Sequence, residues 1–450
     1  MMTKFTPHNA RELAFTSLER VSKTRAYSNL QVDETLRRHE LSPADRRLVT
    51  TIVYGTLQHQ LTLEYWLKSL TPGKKLDSWV ETLLLTALYQ FHYLERVPNW
   101  AITDETIKIA KRRGNPGIRK FVTGVLHSAL RNGFPDFSEI KPLSKQLALT
   151  ASVPQWLVET LINENGEQVT KEILRAINDP AHVSIRINTK KSDLKTVKEQ
   201  LSEEGIETDE SRVAANALVV TSGNVVNSSL LKNGTITIQD ESAMLAVESM
   251  DLKPQFKVLD ACAAPGGKTV QIAEQLSSEQ GGEVVALDIH QHKVRLIGKN
   301  AQRMGVEGEV SPLALDARKV TERFNDEEFD RILVDAPCSG IGLLRRKPEI
   351  RYTKTAQDSQ QLHKIQLAIL NAVAPKVKKG GIITFSTCTI LREENDHTVH
   401  EFLQNHPEFK LERTKTARAI KDDRDSATLT IMPSDYDSDG FFISSLKRNL

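Results

Sequence analysis

The chain of 450 residues holds three cysteines, and each lies in a short motif beside other reactive residue types. Cys338 sits in Asp335-Ala-Pro-Cys-Ser-Gly340. Cys388 sits in Ser386-Thr-Cys-Thr389, followed by Glu393-Glu-Asn395. Cys262 belongs to the stretch Val258-Leu-Asp-Ala-Cys-Ala-Ala-Pro-Gly-Gly-Lys-Thr269 and is read as part of a turn, structural rather than catalytic. A lone buried cysteine is usually a small hydrophobe, but three of three in such motifs point to reactivity. Two thiols and a carboxylate suit one reaction class. Carbon 5 of a pyrimidine is a poor nucleophile. A thiolate adding to ring carbon 6 makes carbon 5 enamine-like and able to attack a methyl sulfonium. A carboxyl beside N3 of cytosine, the place read for Asp335, stabilises the adduct, and a second group then helps remove the carbon 5 proton. The target base must be single-stranded or swung out of its stack.

A cofactor site is read from the stretch around Cys262. The apolar run Phe256–Leu259 ends at Asp260, small residues and Gly266-Gly267 follow, and Val270, Ile272, Ala273 and Leu276 take up a helical spacing. Strand, tight turn and helix let a nucleotide-like ligand approach the backbone, and glycine is needed where a side chain would block it. Cys262 stands where a phosphate-cradling loop requires glycine, and no G-x-G-x-x-G occurs, so a pyrophosphate grip is not expected. A plain Gly-rich turn is the alternative. Asp288 lies about twenty residues on, the spacing of a carboxylate that accepts ribose hydroxyls. Asp316 is placed to touch an adenine amino group, or else caps the next helix.

These groups need a frame. Residues 241–450 alternate strand and helix, which predicts an α/β, Rossmann-like domain with a parallel sheet. Five strands are predicted to end at Asp260, Asp288, Asp316, Asp335 and Cys388, the edge where open α/β sheets bind ligands. A further strand is read at Gly440–Leu446. The helix carrying Leu362, Ile365, Ile369, Val373 and Val377 has core spacing and no chemical signal. Residues 141–240 read as a small α+β, RRM-like module. Its strands are expected at Val183–Asn188, Ala217–Thr221 and Thr235–Gln239, with a helix through Leu194, Val197 and Leu201. Arg186 and Asn188 either face RNA or cofactor there or are ordinary strand residues. Residues 1–140 read as all-α, with apolar residues recurring at three and four and a buried helix at Leu83, Leu84, Leu85, Leu88 and Tyr89.

Two basic stretches suggest a polyanion. Lys111, Arg112 and Arg113 open a basic loop read as preceding a helix from Phe121 to Leu130. Cations at a helix N-terminus oppose its dipole, so RNA phosphates are the expected ligand. Arg345, Arg346, Lys347 and Arg351, after the Cys338 motif, are expected to clamp RNA phosphates, or else form a solvated loop. The net charge of +2 conceals an asymmetry: residues 1–140 carry 20 Lys and Arg against 14 Asp and Glu, a net of +6. No apolar run reaches a membrane span, and the N-terminus lacks the apolar core of a signal peptide. Three cysteines make no disulfide framework, which predicts a reducing, cytoplasmic setting. No CxxC or HExxH spacing occurs, so no metal is expected.

Residues 1–140 resemble the NusB-type RNA-binding fold through Arg11-Glu-Leu-Ala14, Val53-Tyr-Gly-Thr56, Tyr89-Gln-Phe91, Arg96-Val-Pro98, Thr103-Asp-Glu-Thr106 and Phe121-Val-Thr-Gly-Val-Leu126. Through its cysteine motifs and Gly-rich turn, essentially the whole chain resembles the NOL1/NOP2/Sun-type RNA (cytosine-5) methyltransferases, in particular their bacterial RsmB/Sun (Fmu) branch. The resemblance implies a 16S rRNA (cytosine-5)-methyltransferase that acts as a monomer and uses S-adenosyl-L-methionine. It implies cofactor contacts at Cys262, Ala263, Ala264, Pro265, Gly266, Gly267, Lys268, Asp288, Asp316 and Asp335. It makes Cys388 the nucleophile and Cys338 the product-release residue, with Lys268 lining the base pocket. A non-catalytic RNA-binding factor and a transfer RNA substrate are the competing readings.

Overall fold

The structure is a computed structural model that describes residues 7–24 and 28–449. The chain divides into two compact units. One comprises Met1–Asn178 with Arg346–Thr353, the other Asp179–Arg345 with Lys354–Leu450. Among the described residues, no helix is long and apolar enough to cross a membrane.

The first unit is helical: α1 (Ala10–Thr24), α2 (Ser28–Arg38), α3 (Pro43–Gln58), α4 (Gln60–Leu70), α5 (Ser78–Tyr93), α6 (Asn99–Arg113), α7 (Pro116–Asn132), α8 (Leu143–Ala151), α9 (Gln155–Asn165) and α10 (Glu167–Ala176). The leucine run of α5 is buried as its composition demands, from Leu83 through Tyr89. Helices α8 to α10 lie past residue 140, where the sequence reading ended the helical domain, and they belong to this unit.

The basic loop is a correction. Lys111–Arg113 form the last turn of α6, where cations face the carbonyl end of the helix favourably. The break is only Gly114-Asn115: Asn115 Oδ1 accepts the Ile118 amide at 3.0 Å and Pro116 takes the first helical position. Arg112 pairs with Glu12. Arg113 pairs with Glu19 and lies over the rings of Phe15 and Trp79, at 5.1 and 4.9 Å. Both glutamates are buried on α1 and require a counter-charge. Arg112, still exposed, and the half-buried Arg113 are therefore tied to α1, and Lys111 alone of the three stands exposed without such a tie.

Arg351 is a second correction. It is 1% exposed. Its guanidinium donates to the carbonyls of Gln58 (3.0 Å), Ala151 (2.9 Å) and Ile177 (2.9 Å) and to Asn178 Oδ1 (2.8 Å). These are the loose ends of α3, α8 and α10, whose terminal carbonyls have no partner within their own helices. Burial pulls the guanidinium pKa down to about 10. Such a side chain offers RNA no accessible donor, since its remaining donor, Nε, is buried as well.

The second unit holds two sheets. The smaller has the antiparallel order β2-β3-β1-β4, built from β1 (Val183–Ile187), β2 (Glu207–Glu210), β3 (Ala217–Ser222) and β4 (Ile236–Ile238). Strand β2 was not anticipated: its sequence, Glu-Thr-Asp-Glu, carries the charge of an exposed edge and buries only Thr208. The larger sheet is built from β5 (Lys257–Asp260), β6 (Glu283–Asp288), β7 (Val310–Ala314), β8 (Phe329–Asp335), β9 (Val377–Thr387), β10 (Phe409–Glu412), β11 (Leu429–Ile431) and β12 (Phe441–Arg448). Its order is β10-β12-β9-β8-β5-β6-β7, with β11 also on β12. The five strands β5 to β9 are parallel, and the last three run antiparallel. Strand β5 has β6 on one side and β8 on the other, so the strand order reverses there and opens a crevice at the carboxyl edge.

Arg186 and Asn188 tie the smaller sheet to the ends of two helices that flank the larger one. Arg186, on β1, pairs with Glu274 and donates to Gln239 Oε1 at 2.8 Å. Asn188 donates to the carbonyls of Gly234 (3.1 Å) and Met304 (2.7 Å). Both are buried, so the ordinary structural reading holds for them.

The burial of Arg351 generates a test. Arg351→Met leaves several buried carbonyls without a donor and is expected to destabilise the helical unit by about 3 kcal/mol, seen as a lower Tm. The salt slope of RNA binding should not change. A slope reduced by about one unit with Tm intact, the signature of a lost phosphate contact, would restore the original expectation.

Candidate active site

The turn after β5 is stitched to both neighbouring strands. The Ala261 amide donates to Leu333 O in β8 at 2.9 Å, and the Ala263 amide to Leu287 O in β6 at 2.8 Å. Gly266 takes φ +104°, a conformation closed to other residues at little cost only in glycine, and a Cβ there would crowd Ile297 Cα at 3.2 Å. Gly267 begins the helix Gly267–Ala273, and a Cβ on it would meet nothing within 4 Å, so the turn faces open space. Asp260 is buried. Its Oδ2 accepts from Thr269 Oγ1 at 2.7 Å, while Oδ1 has no partner. Burial, with the like charge of Asp335 as a lesser cause, pushes this carboxyl up to about 7. Burial and then the surrounding carboxylates also push the Cys262 thiol well up, which keeps it protonated.

Asp288 ends β6, and its Oδ1 accepts the His290 amide at 2.8 Å. Asp316 lies two residues beyond β7. It caps the short helix Ala317–Glu322 through the Arg318 amide (2.9 Å) and also holds the Arg318 guanidinium at 2.7 Å, which lowers its pKa. The capping alternative for Asp316 is thus realised in the structure.

The reactive cluster lies at the ends of β8 and β9. Their parallel register places Asp335 opposite Ser386. Asp335 Oδ1 accepts from Ser386 Oγ at 2.9 Å, and Oδ2 accepts from Lys268 Nζ at 2.7 Å. Lys268 also lies over the Phe441 ring at 4.9 Å. Burial lowers the pKa of Lys268, but the charge and hydrogen bond of Asp335 outweigh it, and the net shift is upward. The sulfurs of Cys338 and Cys388 are 3.0 Å apart, both as free thiols. The Cys338 thiol is pushed well up, first by its hydrogen bond to Cys388 and then by burial. The Cys388 carbonyl accepts the Gly342 amide at 3.0 Å. A Cβ on Gly342 would sit 2.0 Å from Gly440 O, so only glycine allows these loops to meet.

The structure therefore gathers Lys268, Asp335, Cys338 and Cys388 into one cluster, with the turn from Cys262 to Gly267 running into it. Of the basic loop after Cys338, Arg345 donates to the carbonyls of Pro433 (2.8 Å) and Asp437 (2.5 Å), and Arg346 and Lys347 are half-buried. Sequence reasoning assigned no role to Thr269, Ser386 or Phe441. It also misread the helix Ala356–Val373. Ile365 is 37% exposed, whereas Ser359 and Gln366 face inward and bond within the site. Their spacing of seven, two helical turns on one face, was the available signal.

The raised carboxyl of Asp260 has a consequence for stability. Its folded pKa, about 7, exceeds the ordinary value of 3.8, so the folded state binds the extra proton and stability falls as pH rises between these values. Asp260→Asn cannot ionise and is expected to flatten that part of the Tm–pH profile relative to the parent protein. An unchanged difference between pH 4 and pH 7 would show that Asp260 does not titrate there.

Comparison with known proteins places this geometry. Residues 247–447 match the family model described as 16S rRNA methyltransferase RsmB/F, residues 8–131 the NusB family, and residues 153–227 the ferredoxin-like domain of RsmF/B-like methyltransferases. The probable ribosomal RNA small subunit methyltransferase B of Bacillus subtilis (strain 168) is 42% identical over 448 residues, covering 98% of this chain and 99% of its own. A relative of the same description from Synechocystis is 31% identical, again over 98% and 99%. The crystal structure of PH0851 superimposes with a TM-score of 0.83 at 26% identity, covering 99% of this chain and 100% of that one. NSun6 from Pyrococcus horikoshii, solved with SFG, shares the fold at a TM-score of 0.58 and 21% identity, over 66% of this chain and 98% of that one. The expected architecture, a NusB-type helical region, a small α+β module and the Rossmann-like fold of S-adenosylmethionine-dependent methyltransferases, is present throughout. With a relative 42% identical along its full length and a family model over its catalytic sheet, the chain belongs to the 16S rRNA methyltransferase RsmB/F family.

Proposed function

We propose that this methyltransferase modifies carbon 5 of a cytosine in small-subunit ribosomal RNA through a covalent bond between Cys388 and the base. The observation that carries the reading is the pair of thiols 3.0 Å apart beside the Lys268–Asp335 ion pair, at the ends of adjacent parallel strands. The residues of the turn fit S-adenosylmethionine. Gly267 leaves its approach clear, Asp260 Oδ1 is a buried acceptor without a donor, and Asp288 ends the neighbouring strand. Bound there, the cofactor supplies an electrophilic methyl group. Cys262 through Lys268, Asp288, Asp316 and Asp335 are assigned to hold it.

The chain's own groups do the remaining work. Cys388, as thiolate, adds to carbon 6 of the cytosine. Asp335, oriented by Lys268 and Ser386, faces N3 and stabilises the adduct. Once carbon 5 carries the methyl group, Cys338 as thiolate takes the carbon 5 proton, and Cys388 leaves with the electron pair of its bond to carbon 6. The raised proton affinity of Cys338, caused first by the Cys388 thiol and then by burial, makes its thiolate a stronger base for this proton. Residues 1–140 and the module at 141–240 serve RNA recognition in this reading, residues 241–450 catalysis. Lys111, Arg346 and Lys347 are the basic residues kept as RNA contacts, and the enzyme works as a cytoplasmic monomer.

The test uses ribosomal RNA from cells that lack this protein. Labelled methyl is expected on carbon 5 of one cytosine. Cys338→Ala should accumulate a protein–RNA adduct stable to denaturing electrophoresis, whereas Cys388→Ala should form none. Methyl on another atom would overturn the reaction, and swapped adducts would overturn the assignment of the two thiols.

A further inference from the structure

The dipeptide Glu394-Asn395 bonds to the backbone around both cysteines, although neither residue touches a sulfur in any bond described above. Glu394 and Gln366 are each 0% exposed. The amide of Ser339, the residue after Cys338, donates to Glu394 Oε2 at 2.7 Å. The carbonyl of Pro337, the residue before Cys338, accepts from Gln366 Nε2 at 2.9 Å, and Gln366 Nε2 also reaches Glu394 Oε2 at 3.3 Å. Glu394 Oε1 is held by Ser359 Oγ at 2.8 Å. The peptide groups on both sides of Cys338 are thus clasped by one buried carboxylate and one buried amide.

Asn395 does the same for the other thiol. Its Oδ1 accepts from Thr387 Oγ1 at 2.5 Å and its Nδ2 donates to the Thr389 carbonyl at 3.0 Å, so the residues on both sides of Cys388 are bound to one side chain. A side-chain hydrogen bond, Ser339 Oγ to Thr389 Oγ1 at 2.9 Å, also crosses between the two loops. Two neighbouring residues on one short turn therefore brace two loops that arrive from different strands.

We propose that Glu394 and Asn395 are positioning residues with separate duties: Glu394, together with Gln366, sets Cys338 for product release, and Asn395 sets Cys388 for attack on the base. A carboxylate suits the first duty because it accepts three donors at once, which no neutral side chain does. An amide suits the second because it must accept from a hydroxyl and donate to a carbonyl. The inference rests on the thiol roles given under Proposed function.

The experiment measures adduct formation, methyl transfer and product release on the same RNA for Glu394→Ala, Gln366→Leu and Asn395→Ala, with Tm for each. Cys338→Ala and Cys388→Ala serve as controls. Displacing a reacting group by about 1 Å costs up to about 100-fold in rate. Glu394→Ala and Gln366→Leu are expected to slow release on that scale and accumulate adduct, as Cys338→Ala does. Asn395→Ala is expected to slow adduct formation on the same scale without accumulation. Glu394→Gln, which keeps an acceptor for the Ser339 amide, should recover most of the release rate. Gln366→Leu keeps the core filled, so it reports on the clasp even if Glu394→Ala fails to fold. If the two controls behave as stated but all variants lower both steps equally, the separate duties are wrong. If the controls themselves fail to differ, the fault lies with the thiol roles.

Discussion

Parallel pairing of β8 with β9 sets Asp335 opposite Ser386, and the rest of the site takes its position from that register. A slip of one residue would turn Asp335 to the opposite face of the sheet, because side chains alternate along a strand. The hydrogen bond from Ser386 to Asp335 is then a cross-strand contact between directly opposed residues. Cys388 follows β9 by one residue and Cys338 follows β8 by three, so both thiols arrive at the same sheet edge. The first turn supplies Lys268, whose cation closes the cluster against Asp335.

Burial governs the electrostatics of this edge. Asp260, Lys268 and Asp335 crowd together at this edge, and the ion pair keeps Lys268 charged against a desolvation cost that dominates for Asp260. The same rule accounts for the ties elsewhere. Glu12 and Glu19 are buried on α1 and draw Arg112 and Arg113 inward. Glu274 draws Arg186, and Arg351 is held by carbonyls at helix ends. Basic residues that resembled a phosphate-binding surface serve, in these four cases, as counter-charges or donors for groups inside the fold.

Motif residues were legible where local geometry determined their place. Gly266 announces a turn because only glycine adopts its conformation at little cost. The acids at the ends of β5, β6 and β8 are readable because each closes a short apolar run of two to four residues that fits a buried strand in this alternation. The break between α6 and α7 was also written in Gly114-Asn115-Pro116, as a cap followed by a first-turn proline, but the cluster of charges around it drew attention to a ligand instead. The helix Ala356–Val373 misled for a different reason. Its apolar residues satisfy a helical period, yet two polar residues of the buried face, Ser359 and Gln366, are satisfied by partners about thirty residues away, beyond any local pattern.

By itself, the sequence determined the fold class, the acids that end β5, β6 and β8 and the motifs that carry the cysteines, because hydrophobic period, glycine placement and residue chemistry act over a few neighbouring positions. Only the tertiary structure decided which charges meet. Whether an arginine faces solvent or a buried carboxylate, and whether Glu394 and Asn395 are surface residues or the brace between two loops, depends on groups that chain topology brings together from distant positions. Those contacts are long-range, and their sign and strength depend on burial, which no short stretch of sequence records.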